Sequence, residues 1–367
     1  MEPKPSFKRD QAPTVSNSGS SAIRVMIVDD SLTVRTVFSR LVQADADLEV
    51  ASTASNAERA IAILRDDPVD VILLDLEMPG MGGLEALPTI LKTAKSAKVL
   101  VVSSLTEDGA EHTVAALSMG AADTMLKPRP GGFDDAYRAS LVEKIKALGA
   151  PTAPQQAVLA ESEGTSRDKC SAKTPEVVAI GASTGGIHAL NIILRGLPPQ
   201  FDLPILITQH LPANFIPVFA RQVEMAAARK TVIAEDGTVV RRGEIAIATG
   251  HSHMMLTRRG DMLVTKIMTD AVPSGCRPSV DPMLTSLAEN FDGRALAVIL
   301  SGMGKDGSRG AADLVAAGGA VIAQDAETSA VWGMPGAVTK AGLTSAVLPP
   351  EGLLKEIVER CGVKAWK

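Results

Sequence analysis

The chain has 367 residues, of which 46% are hydrophobic, 22% charged and 3% aromatic, and its formal net charge is −5 at pH 7. This length predicts about two domains of ~150 residues, each large enough for its own core. The acidic balance and the scarcity of aromatic side chains argue against a nucleic-acid-binding protein, which needs a basic face and stacking platforms.

The sequence lacks the usual signals for export and membrane insertion. No apolar stretch approaches the ~20 residues that span a bilayer, and the first 22 residues have no apolar signal-peptide core. The three cysteines, Cys170, Cys276 and Cys361, are far apart and form no paired motif, which suits a reducing compartment. We therefore expect a cytoplasmic protein without membrane insertion.

Composition divides the chain into four segments. Residues 1–22 are polar and predict a disordered leader. Residues 23–148 and 176–367 alternate β-rich runs with amphipathic helical patterns, which is typical of α/β domains. Residues 149–175 are rich in Pro, Ala, Ser and charge without any periodicity, and they predict a flexible linker. The sequence thus predicts two α/β domains in tandem.

The first domain is predicted to contain five strand–helix units. The runs "IRVMIVDD", "DVILLDL" and "KVLVVSS" are apolar on both faces, as expected of strands in a parallel sheet covered by helices on both sides. Amphipathic segments such as "NAERAIAILRDD" and "EHTVAALSMG" lie between them. This pattern favours a doubly wound sheet.

Charged and polar residues fall at the ends of these strands in chain order. Asp29 and Asp30 end the first strand, Asp75 the third and Ser103 the fourth, and Lys127 follows the fifth. Parallel strands direct their carboxyl ends to one crevice, so three carboxylates would converge there. A helix cap and a surface turn could explain single members, but the whole set favours a Mg²⁺ site that accompanies a phosphate.

This domain resembles the receiver domain of two-component response regulators over residues 23–147, through "VDD", "LLDLEMPGMGGLE", "VVSS" and "KP". The resemblance implies a flavodoxin-like fold. It also implies that Asp75 accepts a phosphoryl group from a histidine kinase of the chemotaxis type. A departure at "MGG", residues 81–83, concerns the shape of a loop and not the chemistry.

The resemblance assigns further roles to strand-end residues. Ser103 and Lys127 would contact the phosphoryl oxygens and carry the conformational switch. The residues that it places around Mg²⁺ are Asp29, Asp30, Asp75 and Glu77, the last through its backbone carbonyl.

The second domain begins with "VVAIGASTGGIHAL", a predicted strand that ends in a turn of small residues and continues as a helix. Ser183 in this turn has three competing explanations: a phosphate cradle, an ordinary tight turn or a raised nucleophile. The stretch fails the Gly-x-Gly-x-x-Gly pattern and lacks the Gly-Lys-Ser/Thr end of a phosphate loop. It does satisfy Gly-x-Ser-x-Gly on a strand, turn and helix, which can expose a nucleophilic hydroxyl.

A serine nucleophile needs a histidine base. His210 ends the strand "LPILITQH", so it should reach the same crevice as Ser183. His188 lies on the helix after Ser183 without a strand-end setting. His251 and His253 lie beside a β-rich insert, residues 238–267, whose Arg259–Asp261 segment predicts a hairpin. As His-x-His they could bind a metal, but a solvated loop is the favoured interpretation.

The base also needs an acid to orient it. Asp281, Asp306 and Asp325 are candidates. Asp306 lies in "LSGMGKDG", directly after the predicted strand "ALAVIL", which places it on the same rim. The order Ser, His, Asp differs from the Ser, Asp, His order of α/β-hydrolases.

At this point the second domain resembles the catalytic domain of chemotaxis protein-glutamate methylesterases, through "AIGASTGG", "TQHLPANFIPVFA", "CRPSVDPMLTSLAE", "LSGMGKDGSRGAADL" and "AQDAETSAVWGMPGAV". The resemblance implies a Rossmann-like domain with a β-hairpin insert and a triad of Ser183, His210 and Asp306. Thr184 and the backbone around Met303 would line the site and bind the oxyanion.

The same resemblance implies the reaction and the partners. The reaction would be hydrolysis of glutamate γ-methyl esters on the cytoplasmic helices of methyl-accepting chemoreceptors, with possible deamidation of glutamines. Ester hydrolysis would need no cofactor, so Mg²⁺ would serve only the receiver domain. Two alternatives stay open on the residues alone: a DNA-binding output domain, and a nucleotide-binding or scaffolding module in which Ser183 merely turns the chain.

Overall fold

The computed structural model describes residues 22–104, 106–128, 133–150, 173–260 and 262–362. The predicted leader, apart from residue 22, and residues 151–172 of the predicted linker lie outside these ranges, and both stay predictions. Within the described part of the chain, no helix has the length and apolar character that a bilayer crossing requires.

The first unit is built on a five-stranded parallel sheet with helices on both faces, as predicted. Its strand order is β2-β1-β3-β4-β5, which is the flavodoxin-like order. The strands are β1 Ile23–Val28, β2 Leu48–Ala54, β3 Val71–Asp75, β4 Lys98–Ser103 and β5 Asp123–Leu126. The helices are α1 Leu32–Gln43, α2 Ala57–Asp66, α3 Gly83–Ala94, α4 Glu107–Met119 and α5 Asp135–Gly149.

Local sequence explains these elements. All five residues of β3 are buried, as its uninterrupted apolar run requires in a sheet covered on both faces. Ser31, Asn56, Thr106 and Asp134 begin the helices that follow them, each accepting a hydrogen bond from a backbone N–H of the first turn. Helix capping therefore accounts for Ser31, next to Asp30, but not for the carboxylates themselves.

The second unit contains a seven-stranded parallel sheet in the order β15-β14-β13-β6-β7-β10-β8. Apart from the extra strand β10, this is the Rossmann order, with β6 in the centre. The strands are β6 Val177–Ala182, β7 Ile205–Gln209, β8 Thr231–Ala234, β9 Val239–Val240, β10 Ile245–Ala248, β11 His253–Arg259, β12 Met262–Met268, β13 Ala295–Ile299, β14 Ala320–Gln324 and β15 Ala346–Leu348. The helices are α6 Gly186–Gly196, α7 Ile216–Ala227, α8 Val280–Asn290, α9 Ser308–Ala316, α10 Met334–Lys340 and α11 Pro350–Arg360.

The β-rich insert divides between two sheets. β11 and β12 form the predicted hairpin, with Arg259 paired to Met262, and β9 pairs with β12 in a small antiparallel sheet. β10 instead joins the large parallel sheet between β7 and β8. Its sequence, Ile-Ala-Ile-Ala, is buried throughout, so it fits a covered sheet better than an exposed ribbon.

The prediction of a solvated loop was wrong for His253. His251 is exposed, but His253 begins β11 and is 0% exposed. Its Nδ1 accepts a hydrogen bond from Ser279 N at 3.0 Å, and its Nε2 lies 3.0 Å from the carbonyl oxygen of Asp270. Burial lowers the pKa of His253, so this side chain is a neutral part of the core with both nitrogens satisfied.

The two units pack against each other along α4. Buried apolar residues of α4 share one cluster with α6, α7 and the 3₁₀ turn at Ala213–Phe215, among them Val114, Leu117, Phe215 and Phe219. Polar contacts also cross this boundary. His188 Nδ1 lies 3.1 Å from Ser118 O.

We predict that Gly83→Ala destabilises the protein clearly more than Gly82→Ala does. A Cβ on Gly83 would lie 2.0 Å from the backbone oxygen of Asp75, but a Cβ on Gly82 would lie 3.4 Å from its nearest neighbour, Leu76 O. Because backbone cannot move aside cheaply, Gly83→Ala should lower the free energy of unfolding by about 2 kcal/mol or more. Gly82→Ala should change it by less than about 1 kcal/mol. Urea titrations followed by circular dichroism measure both variants, and equal stabilities would contradict the expectation.

Candidate active site

Sheet topology brings Ser183, His210 and Asp306 to one edge. Ser183 follows β6 and His210 follows β7, while Asp306 lies in the loop after β13; β6 pairs with both β7 and β13. The strand order reverses at β6, which is where ligand crevices form in such sheets. His210 N donates to Ala182 O at 3.0 Å. This bond continues the pairing of β6 and β7 by one residue and holds His210 next to the end of β6.

The turn after β6 is shaped by close packing. Gly185 has a φ of +78°, a conformation that favours glycine. A Cβ on Gly186 would lie 2.7 Å from Ala182 Cβ and 3.0 Å from Ser301 O. Ser183 N donates to the same Ser301 O at 3.0 Å. The small residues thus let the start of α6 lie directly against the loop after β13, with Ser183 half-buried between them.

Asp306 is the most tightly held residue of the site. Its side chain is 1% exposed, and its carboxylate accepts from Ser279 Oγ at 2.6 Å and Val280 N at 2.7 Å, with His210 Nε2 at 2.9 Å. Burial would raise the pKa of Asp306, but the hydrogen bonds from His210, Ser279 and Val280 outweigh it and hold the pKa at about 2. The group is therefore a fixed negative charge.

His210 is paired with that charge through Nε2, and its side chain is 16% exposed. Burial lowers the pKa of His210, but hydrogen bonds with Asp306 and Cys276 more than compensate and raise it to about 9. With the Nε2 proton shared with Asp306, Nδ1 is the nitrogen left to accept a proton. Among the described residues, Ser183 Oγ makes no hydrogen bond; such contacts often tighten only when substrate binds.

Two backbone N–H groups near Ser183 are available to an oxyanion. Neither Thr184 N nor Met303 N donates a hydrogen bond to another described residue. A Cβ on Gly302 would lie 2.8 Å from Ser183 Cβ, so the chain next to Met303 passes close to the hydroxyl. The hydroxyl of Thr184 is engaged elsewhere, because it donates to Asp123 of the first unit at 2.6 Å.

Among the described residues, neither of the other candidate acids is hydrogen-bonded to His210, although the carboxyl of Asp281 lies beside that of Asp306, and burial together with this neighbouring charge raises the pKa of Asp281. Asp325 accepts from Thr328 at 2.9 Å within its own turn, and Asp281 accepts from Gly310 N at 2.8 Å at the start of α9. His188 is exposed on α6, where it contacts the first unit. The structure therefore places Asp306, and neither alternative acid, against His210.

Sequence reasoning missed three residues that complete the site. Ser279 orients Asp306, and Gln209 Nε2 donates to Ser183 O at 3.1 Å. Cys276 lies beside His210, with the ligand atoms of Cys276, His210 and Asp306 within 4.8 Å of one another. Ser279 and Cys276 lie in the motif "CRPSVDPMLTSLAE". This motif indicated the family resemblance, but it did not by itself predict a role for its polar residues.

The first unit gathers its strand-end residues in the same way. Carboxylate oxygens of Asp29, Asp30 and Asp75 lie within 4.8 Å of one another. Lys127 Nζ lies 2.6 Å from Asp75 Oδ2 and 2.9 Å from Asp29 Oδ2. Burial raises the pKa of Asp75 to about 6, although Lys127 opposes the shift. Lys127 alone therefore does not fully compensate the buried carboxylate.

These residues fit a Mg²⁺ ion with a phosphoryl group. Three carboxylates so close together supply the oxygen ligands that Mg²⁺ prefers. Ser103 Oγ is buried without a hydrogen-bond partner among the described residues, so it has the capacity to contact a phosphoryl oxygen. Glu77 N donates to Asp75 Oδ1 at 3.0 Å, and the Glu77 side chain accepts from Ser104 at 2.9 Å.

Comparison with known proteins gives two family matches. Residues 178–357 match the sequence model of the CheB methylesterase family, and residues 25–132 match that of the response regulator receiver domain. The first range contains the Ser183 site, and the second contains the Asp75 site.

Curated relatives match along nearly the whole chain. A protein-glutamate methylesterase/protein-glutamine glutaminase of Azospirillum brasilense is 40% identical over 366 residues, which cover 93% of this chain and 92% of that protein. A second protein of that name, from Caulobacter vibrioides, is 42% identical over 346 residues, covering 92% of this chain and 99% of that protein. The Thermotoga maritima CheB methylesterase catalytic domain matches with a TM-score of 0.49 at 36% identity, covering 50% of this chain and 98% of that chain.

We predict that a serine-directed phosphonate labels Ser183 faster as the pH rises, with a midpoint near the His210 pKa of about 9. The reason is that only neutral imidazole can accept the serine proton. In Asp306→Asn the midpoint should fall towards ~6.5, because the carboxylate that raises the pKa is gone. Labelling rates between about pH 6 and pH 10 measure this, with Ser183→Ala as the blank. A rate independent of pH would contradict a role for His210 as base.

Proposed function

The chain belongs to the CheB methylesterase family, with a response regulator receiver domain ahead of the esterase domain, and on this basis we propose that Ser183, His210 and Asp306 perform its reaction as a catalytic triad. The enzyme hydrolyses glutamate γ-methyl esters on chemoreceptors and deamidates receptor glutamines, under the control of receiver phosphorylation. This function decides against a DNA-binding output domain and against a module in which Ser183 only turns the chain.

The observation that carries the triad is the buried Asp306–His210 hydrogen bond at the strand end next to Ser183. Ser183 Oγ attacks the side-chain carbonyl carbon of the substrate while His210 takes the serine proton. The N–H groups of Thr184 and Met303 donate to the resulting oxyanion. His210 then protonates the leaving group, which departs as methanol from an ester or ammonia from an amide. Water, deprotonated by His210, hydrolyses the acyl-enzyme.

Asp306 supports these proton transfers without exchanging protons itself. Its pKa of about 2 keeps it ionised while His210 cycles between its neutral and charged forms. The charge stabilises the imidazolium that forms when Ser183 attacks. Ser279 and Val280 N hold the carboxylate in place, so the imidazole keeps one orientation.

The receiver site is assigned a regulatory role. Asp75 accepts the phosphoryl group. Asp29, Asp30, Asp75 and the carbonyl of Glu77 would hold Mg²⁺, which would supply positive charge to the phosphoryl oxygens. The three clustered carboxylates support this assignment. The unpartnered hydroxyl of Ser103 supports a role for it, with Lys127, in contacting the bound phosphoryl group.

The partners follow from the two sites. A chemotaxis-type histidine kinase supplies the phosphoryl group, and the cytoplasmic helices of methyl-accepting chemoreceptors supply the esterified side chains. Both reactions place the enzyme in the cytoplasm. The net charge of −5 leaves nucleic acid an unfavourable partner.

Contacts between the units support regulation by occlusion. Gly185 N donates to Ala122 O at 2.5 Å, and Thr184 Oγ1 donates to Asp123. A cavity of about 440 Å³ is lined by His210 on one side and by residues of β5 and α5 of the first unit on the other. A receptor helix about 10 Å wide could not reach Ser183 past these contacts. Phosphorylation would open the crevice by weakening them, and a tenfold activation needs a change of only about 1.4 kcal/mol.

The triad predicts that Asp306→Asn keeps the fold and loses turnover by as much as ~10⁴-fold, the loss known for the equivalent change in a serine protease. The amide cannot hold the correct imidazole tautomer or stabilise the imidazolium. Methanol release from methylated receptors measures turnover, and circular dichroism checks the fold. Asp325→Asn is the matched control and should retain most activity. Near-normal turnover in a folded Asp306→Asn protein would contradict the assignment.

Occlusion predicts that a fragment starting at Lys173 releases methanol faster than the unphosphorylated intact protein, since the receiver no longer covers the crevice. In the intact chain, Asp123→Ala should raise basal activity in the same direction, because Thr184 and Lys144 lose their shared acceptor. A phosphodonor should activate the intact protein, but neither the fragment nor an Asp75→Ala variant. Fragment activity no higher than that of the unphosphorylated protein would rule out simple occlusion.

A further inference from the structure

The thiol of Cys276 makes no bond and transfers no proton in the proposed esterase mechanism, yet it lies beside His210 and Asp306. Ligand atoms of His210, Cys276 and Asp306 are all within 4.8 Å of one another, one of two such groups among the described residues. The other group consists only of carboxylates in the receiver site. The esterase site therefore offers one nitrogen, one sulfur and one oxygen ligand in a small volume.

This donor set selects a particular class of cation. Imidazole and thiolate suit Zn²⁺, whereas Mg²⁺ and Ca²⁺ prefer oxygen ligands alone. A thiolate and a carboxylate together also neutralise the two positive charges of the ion. Three protein ligands leave a fourth tetrahedral position for water or substrate.

The geometry needs only small adjustments. Zn–S distances of about 2.3 Å and Zn–N and Zn–O distances of about 2.0–2.2 Å place tetrahedral ligand atoms roughly 3.3–3.6 Å apart. The His210–Asp306 contact of 2.9 Å must lengthen by about half an ångström, as expected when a metal replaces a shared proton. Cys276 follows Gly275, which has a φ of +69° and open space around it, so the thiol can move inward.

The surroundings also resemble the support that metal ligands need. Ser279 Oγ donates to Asp306 Oδ1, which fixes the carboxylate while Oδ2 faces His210. Hydrogen bonds of this kind orient the ligands of metal sites. Asp306 is almost fully buried, while His210 and Cys276 are partly exposed, so an ion can enter from the crevice.

We propose that His210, Cys276 and Asp306 form an inhibitory binding site for Zn²⁺ in the esterase domain. The ion accepts lone pairs from a ring nitrogen, the sulfur and a carboxylate oxygen. The protons of the imidazolium and the thiol pass to solvent, so binding releases protons and strengthens as the pH rises. Inhibition rests on the proposed triad, because a metal-bound imidazole cannot serve the proton transfers of Ser183.

The test uses the intact protein with two separate measurements. Co²⁺ alone is added first, and thiolate-to-cobalt charge-transfer absorption in the near ultraviolet reports a metal–sulfur bond. Zn²⁺ is then titrated during methanol release, with Mg²⁺ in excess to occupy the receiver carboxylates. Each variant is compared with its own activity in the presence of a chelator. We expect the absorption band and reversible inhibition by Zn²⁺ in the wild type.

Cys276→Ser should lose the cobalt band and need about tenfold more Zn²⁺ or greater for half inhibition, the loss typical of weakened metal sites. The matched control, Cys361→Ser, removes a thiol remote from the site and should keep both signals. A missing cobalt band in the wild type, or equal Zn²⁺ inhibition of wild type and Cys276→Ser, would overturn the proposal. An enzyme that releases no methanol under any condition would instead refute the esterase function, while the cobalt spectrum would still decide the metal site.

Discussion

The catalytic half of the molecule depends on one buried carboxylate. Burying a charge costs several kcal/mol unless hydrogen bonds replace the lost water, and Asp306 gains its replacements from His210, Ser279 and Val280 N. These donors follow β7 or begin α8, so the carboxylate joins parts of the chain that are far apart in sequence. The same bond, together with the neighbouring Cys276, raises the pKa of His210 to about 9. Holding Asp306 ionised therefore also favours the protonated form of His210 at neutral pH.

The buried carboxylate of the receiver site has fewer hydrogen-bond donors around it. Asp306 is saturated with donors and its pKa stays at about 2, whereas burial raises the pKa of Asp75 to about 6 despite Lys127. A saturated carboxylate has a fixed charge and a fixed position, which suits a residue that orients another. A carboxylate whose buried charge is only partly offset by hydrogen-bond donors can still interact with a cation and a phosphoryl group. The contrast follows from the number of donors and not from the depth of burial, since Asp75 and Asp306 are both 2% exposed.

The sequence pattern predicted the positions of those site residues that lie just after a strand. Ser183, His210 and Asp306 each follow a buried apolar run, and parallel strands must bring such ends to one edge. Patterns did not predict contacts that depend on loop paths. Ser279 and Cys276 lie in a loop without periodicity, and β10 looked like part of a hairpin insert because its alternation of Ile and Ala does not reveal which sheet it joins. His253 was misplaced for the same reason, since only tertiary packing buries a residue at the edge of a small sheet.

Strand β5 links the two sites, because residues at its two ends contact one site each. Asp123 at its start accepts from Thr184, the neighbour of Ser183, and Lys127 just after its end contacts Asp75 and Asp29. Four residues of extended chain span about 13 Å, and β5 is paired to β4 along its whole length. A phosphoryl group on Asp75 would compete for Lys127 Nζ, and a shift of Lys127 would act on Asp123 through β5. Because Asp123 also pairs with Lys144 of α5, releasing Thr184 would not leave a buried charge unpaired, which keeps the cost of opening small.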